Sequence, residues 1–160
     1  MINLDECLNN VDNLYNEINE ISNKLVQKDI DNINLIVNKL NTAVESLSND
    51  EIRNIVLEFY VMSNTLIESK ERLEMQYRSA KLLKNEAYSN SYVLAEGSIE
   101  NKKNITNLKI KNEQLTELVF EMAFNKLEER HKYCMKLASS MNDLLVTRLS
   151  EAKLDAKTLS

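Results

Sequence analysis

No proline occurs in this chain of 160 residues, and Gly97 is its one glycine. A typical chain holds roughly 5% proline and 7% glycine. Those two residues supply most of the turning chemistry of a backbone and most of what breaks a helix. A sequence nearly stripped of both is confined to long helices joined at few places. The apolar residues agree, recurring at steps of three and four along most of the chain. The fold class expected is all-α.

In the first 48 residues the seam runs Leu4, Leu8, Val11, Leu14, Ile18, Ile21 and Leu25 on a polar background, heptad fashion. Its register slips between Lys28 and Asp31 and resumes as Ile33, Val37, Leu40, Val44 and Leu47. That predicts two helices, or one with a stutter. Residues 1–48 are therefore expected to form a coiled-coil-like helical module whose stripe needs a partner surface.

Residues 49–160 are expected to form a second domain, a long helical hairpin. Ser48 followed by Glu51 is a capping box and predicts a helix start. That helix is expected to run through Phe59, Leu66, Leu73, Ala80 and Ala87 to about Glu96, on the order of 70 Å at ~1.5 Å per residue. Gly97 can adopt the left-handed conformation that ends a helix, and Ser98 can cap the next. A third helix is expected to start between Ser98 and Thr106. It continues through Leu108, Leu115, Leu118, Met122, Leu127, Cys134, Leu137, Met141, Leu145 and Leu149 to Ala152. The predicted architecture is an antiparallel hairpin hinged at Gly97. Helices this long have too little girth to bury both flanks within one chain, so a homo-oligomer is expected.

Charge is uneven. Nine acids and three lysines give residues 1–50 a net −6, leaving +1 for the remainder of a chain that totals −5. Such asymmetry suggests two surfaces or two partners. The acidic segment could compete with nucleic acid, dock a basic protein, or serve as a plain oligomerisation helix. Two cysteines, Cys7 and Cys134, make no disulfide framework and fit a reducing compartment, buried at helical spacing. Asn3, Asp5 and Glu6 open the chain without a basic leader region, and no apolar run approaches the ~20 residues of a membrane span. A cytoplasmic protein of a bacterial host with no membrane partner is expected.

Catalytic motifs are missing: no Gly-rich phosphate loop, nucleophile elbow or paired His/Asp arrangement is found, so no enzyme and no cofactor is expected. His131 and Cys134 lie one turn apart, and Glu128 with His131 forms Glu-x-x-His. A zinc site needs about four ligands, and a di-iron bundle needs two such motifs with two more glutamates. A seam position between Leu127 and Cys134 accounts for His131 more simply.

The stretch that carries candidate chemistry is Tyr77 to Asn104. At ~100° per residue, Arg78, Lys81, Lys84, Tyr88 and Tyr92 fall on one stripe of the helix, adjoining a separate apolar cluster of Leu73, Ala80, Leu83, Ala87 and Leu94. Between Arg78 and Lys111 seven bases oppose three acids, a local +4. Folding back at Gly97 would return Lys102 and Lys103 near Tyr92 and Lys84. Cations that follow phosphates, with rings on which bases stack, are what single-strand binding requires. A solvated lysine face with tyrosines at the rim of a core is the plainer reading of the same residues.

Residues 87–98, AYSNSYVLAEGS, are flanked by Lys81 and Lys84 before and Lys102-Lys103 after. A long helix ending in Leu144-Leu145-Val146-Thr147-Arg148 follows. Over about residues 66–157 this resembles the UvsY-type recombination mediators of tailed phages. The resemblance implies a ring-forming accessory protein that binds single-stranded DNA and helps load a recombinase in place of a single-strand-binding protein. By position, Lys81, Lys84, Tyr88 and Tyr92 match the family's DNA-contacting segment, while Lys102 and Lys103 follow from hairpin geometry alone. The 50 or so acidic N-terminal residues depart from the family. The alternatives are a helical scaffold or adaptor, or an inhibitor, acting through protein contacts only.

Overall fold

The computed structural model describes the backbone of residues 4–40 and 46–158 and the side chains of residues 11–40 and 46–154. Among these residues are four helices and no strand: α1 (Leu4–Leu40), α2 (Asn49–Leu94), α3 (Ile99–Lys109) and α4 (Lys111–Thr158). The fold is all-α. No helix is long and apolar enough to cross a membrane.

α1 is one helix, continuous through the expected slip at Lys28–Asp31. Its buried stripe is Ile18, Ser22, Val26, Asp29, Ile33 and Ile36, which holds steps of three and four throughout. Two members of that stripe are polar, so an apolar pattern alone misplaces it. Val11, Leu14, Ile21 and Leu25 of the expected seam are exposed. Leu4, Cys7 and Leu8 fall outside the described side chains, and Val44 outside the described residues.

The chain divides into two compact units, Met1–Gln27 with Lys70–Lys126, and Lys28–Ser69 with Leu127–Ser160. In the second unit, Ile52, Val56, Met141 and Leu145 form a buried cluster, flanked by Leu40, Leu47 and Leu144. Phe59, Leu66, Leu127, Cys134 and Ala138 are fully or almost fully enclosed. Phe59, Leu66, Leu127, Cys134, Met141 and Leu145 of this core were expected from helical spacing, whereas Ile52, Val56 and Ala138 were not among the expected positions. Lys39 pairs with Glu58 at 2.6 Å and the Ser69 hydroxyl donates to buried Asp29 at 3.2 Å, so α1 and α2 run in opposite directions here. At its entry to α2 the capping box forms. Glu51 N–H donates to Ser48 Oγ at 3.3 Å, and Ser48 N–H donates to the Glu51 carboxylate at 2.7 Å. Arg148 donates to the Leu47 carbonyl at 2.6 Å, satisfying an acceptor in the α1–α2 connection.

In the first unit, Leu73 and Ala80 of α2 and Ala123 of α4 are buried. Ser22, fully buried on α1, sits 2.7 Å from the Ile18 carbonyl and 3.1 Å from the Val119 carbonyl of α4. Lys126 donates to Asn19 Oδ1 at 2.5 Å, Asn23 Oδ1 at 2.8 Å and the Asn19 carbonyl at 3.3 Å. Burial of this ammonium among neutral acceptors lowers its pKa below the usual lysine value.

α2 ends at Leu94, two residues short of the expected Glu96. Gly97 follows with φ +104°, a conformation that side chains rarely adopt. A Cβ there would lie 2.7 Å from Asn101 Nδ2. Ser98 caps α3, its Oγ accepting from Asn101 N–H at 3.3 Å. The single third helix expected from the sequence is instead two, parted at Ile110 (φ −100°, ψ 19°). Ile110 N–H still donates to the Thr106 carbonyl at 3.1 Å and Gln114 N–H to the Ile110 carbonyl at 3.0 Å. The four-residue bonding pattern thus survives a local distortion, with no glycine or proline to announce it.

Replacing the enclosed Phe59 with alanine is expected to cost about 3–5 kcal/mol, read as a lower urea midpoint at unchanged slope. Hydrogen bonds from Ser48 hold the Glu51 carboxyl below its ordinary pKa of 4.5. Its contribution is therefore present above about pH 4.5 and is lost as pH falls through the lowered folded-state value. Glu51→Gln should flatten that part of an acid-unfolding curve followed by circular dichroism.

Candidate nucleic-acid interface

All seven residues singled out by sequence lie in the first unit, five on α2 and two on α3. α2 presents them together because 78, 81, 84, 88 and 92 span an arc of only ~120° at 3.6 residues per turn. Tyr88 and Tyr92, one turn apart and half-buried, stack with ring centroids 6.0 Å apart and planes 14° from parallel. The turn at Gly97 brings α3 back beside them. Lys102 Nζ comes to lie 6.0 Å from the centroid of the Tyr92 ring, within cation–π range. Lys81 and Lys103 are exposed and carry no ion pair among the described residues.

The remaining two cations are already occupied. Arg78 pairs with Glu74 at 2.5 Å, but both side chains face solvent. Such a pair is worth little and is screened by salt. Lys84 differs. It pairs with Glu117 of α4 at 2.5 Å, with side chains 25% and 15% exposed. Lys84 is thus engaged by an acid of α4, whereas Lys102 and Lys103 lie on α3, nearer the turn. The neutralising partner comes from another helix, α4, rather than from the acids of α2 itself.

Glu117 was legible in principle. Helical side chains lean toward their own N-terminus. Lys84 therefore leans back toward position 81 and Glu117 toward 113. In a hairpin turning at Gly97 those levels face each other. Glu113, one turn before Glu117, has a buried carboxylate oxygen, Oε2, without a hydrogen-bond partner among the described residues. It lines a small recess of about 150 Å³ with Ala80, Leu83, Asn112 and Thr116.

The apolar cluster expected beside the stripe is only partly realised. Leu73 and Ala80 are buried, whereas Leu83 and Leu94 are exposed. The buried residue near the turn is Ala95 rather than Leu94. A groove of about 550 Å³ runs past Met75, Leu83 and Phe120. Around Gly97, Val93, Leu94, Ile99 and Leu108 also stand in solvent, each more than two-thirds exposed.

In the second unit His131 Nε2 lies 2.8 Å from the hydroxyl of buried Ser63, which also lies 3.1 Å from Met135 Sδ. Among the described residues no three of His, Cys, Asp or Glu gather as metal ligands would. Cys134 is fully buried, and burial raises its thiol pKa above 9.0 although Arg130 pulls it back. Comparison of the chain with protein-family models, curated proteins and solved structures finds no match in any of the three.

In a Cys7→Ser chain, Cys134 is expected to react with a thiol reagent only as the fold opens. Labelling at neutral pH should be slow in buffer and complete within minutes in urea. Equal rates in both would show the thiol to be accessible.

Proposed function

We propose that this chain binds single-stranded DNA without sequence preference and acts as a recombination mediator, helping a recombinase displace a single-strand-binding protein. The stacked pair Tyr88–Tyr92 with Lys102 set over Tyr92 is the observation that carries this reading. A ring platform beside a cation suits a base stacked next to its phosphate, and stacking tolerates any base. Exposed Lys81 and Lys103 supply further charge for the backbone. Arg78 can exchange its solvent-facing partner for phosphate at small cost. The slender helices and their exposed apolar residues support assembly of several copies, which would repeat the platform along a strand.

A second reading rests on a specific observation. Val93, Leu94, Ile99 and Leu108, exposed around Gly97, suit a protein-contacting surface, as in an adaptor that never meets DNA.

Filter binding of labelled oligothymidylate at 50 and 200 mM salt separates the two. A mediator retains the strand and loses affinity steeply with salt. Tyr92→Ala should weaken binding by about 1–3 kcal/mol, 5- to 150-fold. Lys81→Ala should reduce the slope of log K against log salt by about 0.7. An adaptor retains no strand at either salt.

A further inference from the structure

We infer that Glu117 is an internal competitor for phosphate, which holds Lys84 off the strand and keeps the site below its full affinity. This rests on the single-strand reading given above and concerns how that same site is regulated.

Position comes first. Lys84 is one turn before Tyr88 on the same face of α2, so its stem is a neighbour of the stacked rings, about 5–6 Å between Cβ atoms. A released Lys84 ammonium would reach a phosphate next to a base stacked there. In the structure it is bound to Glu117 at 2.5 Å instead.

Environment decides how firmly it is held. The Arg78–Glu74 pair has side chains 68% and 36% exposed, so water and salt weaken it. The Lys84–Glu117 pair, at 25% and 15%, is covered on most sides, and attraction between its charges is stronger and less screened. Glu113 adds a second carboxylate one turn away, with an oxygen buried and unpartnered. Glu117 is thus the acid that holds the lysine, on a covered stretch of α4. Removing Lys84 to a phosphate would leave the Glu117 carboxylate unpaired in a covered site, a heavy cost. The strand therefore meets Lys81, Lys102 and Lys103 as available cations, and Lys84 joins them only when the Glu117 carboxylate is taken from it.

Four full-length proteins test this against the same oligothymidylate across a salt series: the native chain, Glu117→Gln, Lys84→Ala and the double variant, each checked for helicity and melting. Glu117→Gln should tighten binding several-fold and steepen the salt slope by about 0.7, the increment of one more phosphate contact. Lys84→Ala should bind within twofold of the native chain. The double variant should lose the gain. If it keeps the gain, simple loss of a negative charge explains it and the inference is overturned. An unchanged slope in Glu117→Gln overturns it as well. Should Glu117→Gln not fold, Glu117→Asp, one methylene shorter, must show a smaller shift in the same direction. Failure of the native chain to retain DNA would instead overturn the single-strand reading itself.

Discussion

Ile52 and Val56 on one helix close against Met141 and Leu145 on another, and the described residues are held together by lateral contacts of this kind between helices. A helix with side chains is roughly 10–12 Å across. It can offer a neighbour only a stripe, and much of its circumference stays in water. The consequence is visible in the exposed Leu35, Leu57, Val61 and Leu82. Such residues serve no core within the chain, and they set the terms on which any larger assembly would form.

The same geometry shapes the electrostatics near the tyrosine pair. Cations on the outer arc of α2 are cheap to redirect, because water already shares their partners. A cation near the contact line with α4 is not, since the approach of the second helix strips water from it. Arg78 and Lys84 are six residues apart on one helix and belong to these two regimes. Counting charges along a sequence treats them alike, and the fold does not.

Much of the scaffold was legible because its signals are local. The capping box at Ser48 and Glu51, the cap at Ser98 and the positive φ of Gly97 all follow from rules that act within four residues. Periodicity also placed Phe59, Leu66, Leu73, Leu127, Cys134 and Met141 in the interior. What escaped depends on neighbours distant in sequence. The buried stripe of α1 includes Ser22 and Asp29, which no apolar pattern can flag, because each finds its partner on another helix. The distortion at Ile110 has no glycine or proline to mark it. Of the candidate site, the tyrosines and the return of Lys102 to Tyr92 were readable. The diversion of Lys84 to Glu117 escaped a reading of α2 alone, because it emerges only when the leaning directions of two helices are taken together.

Ser22 has a consequence of its own. Its hydroxyl reaches the main-chain oxygen of Val119, so the α1 and α4 backbones approach more closely there than larger side chains would permit. Sliding α1 by one turn, about 5.4 Å, would bring Ile18 or Val26 to that place, and neither has a hydroxyl to donate to the Val119 carbonyl. Uniform apolar seams invite such slippage, since every turn resembles the next. One small polar residue makes the turns unequal, since only at Ser22 is a hydroxyl present to meet that carbonyl.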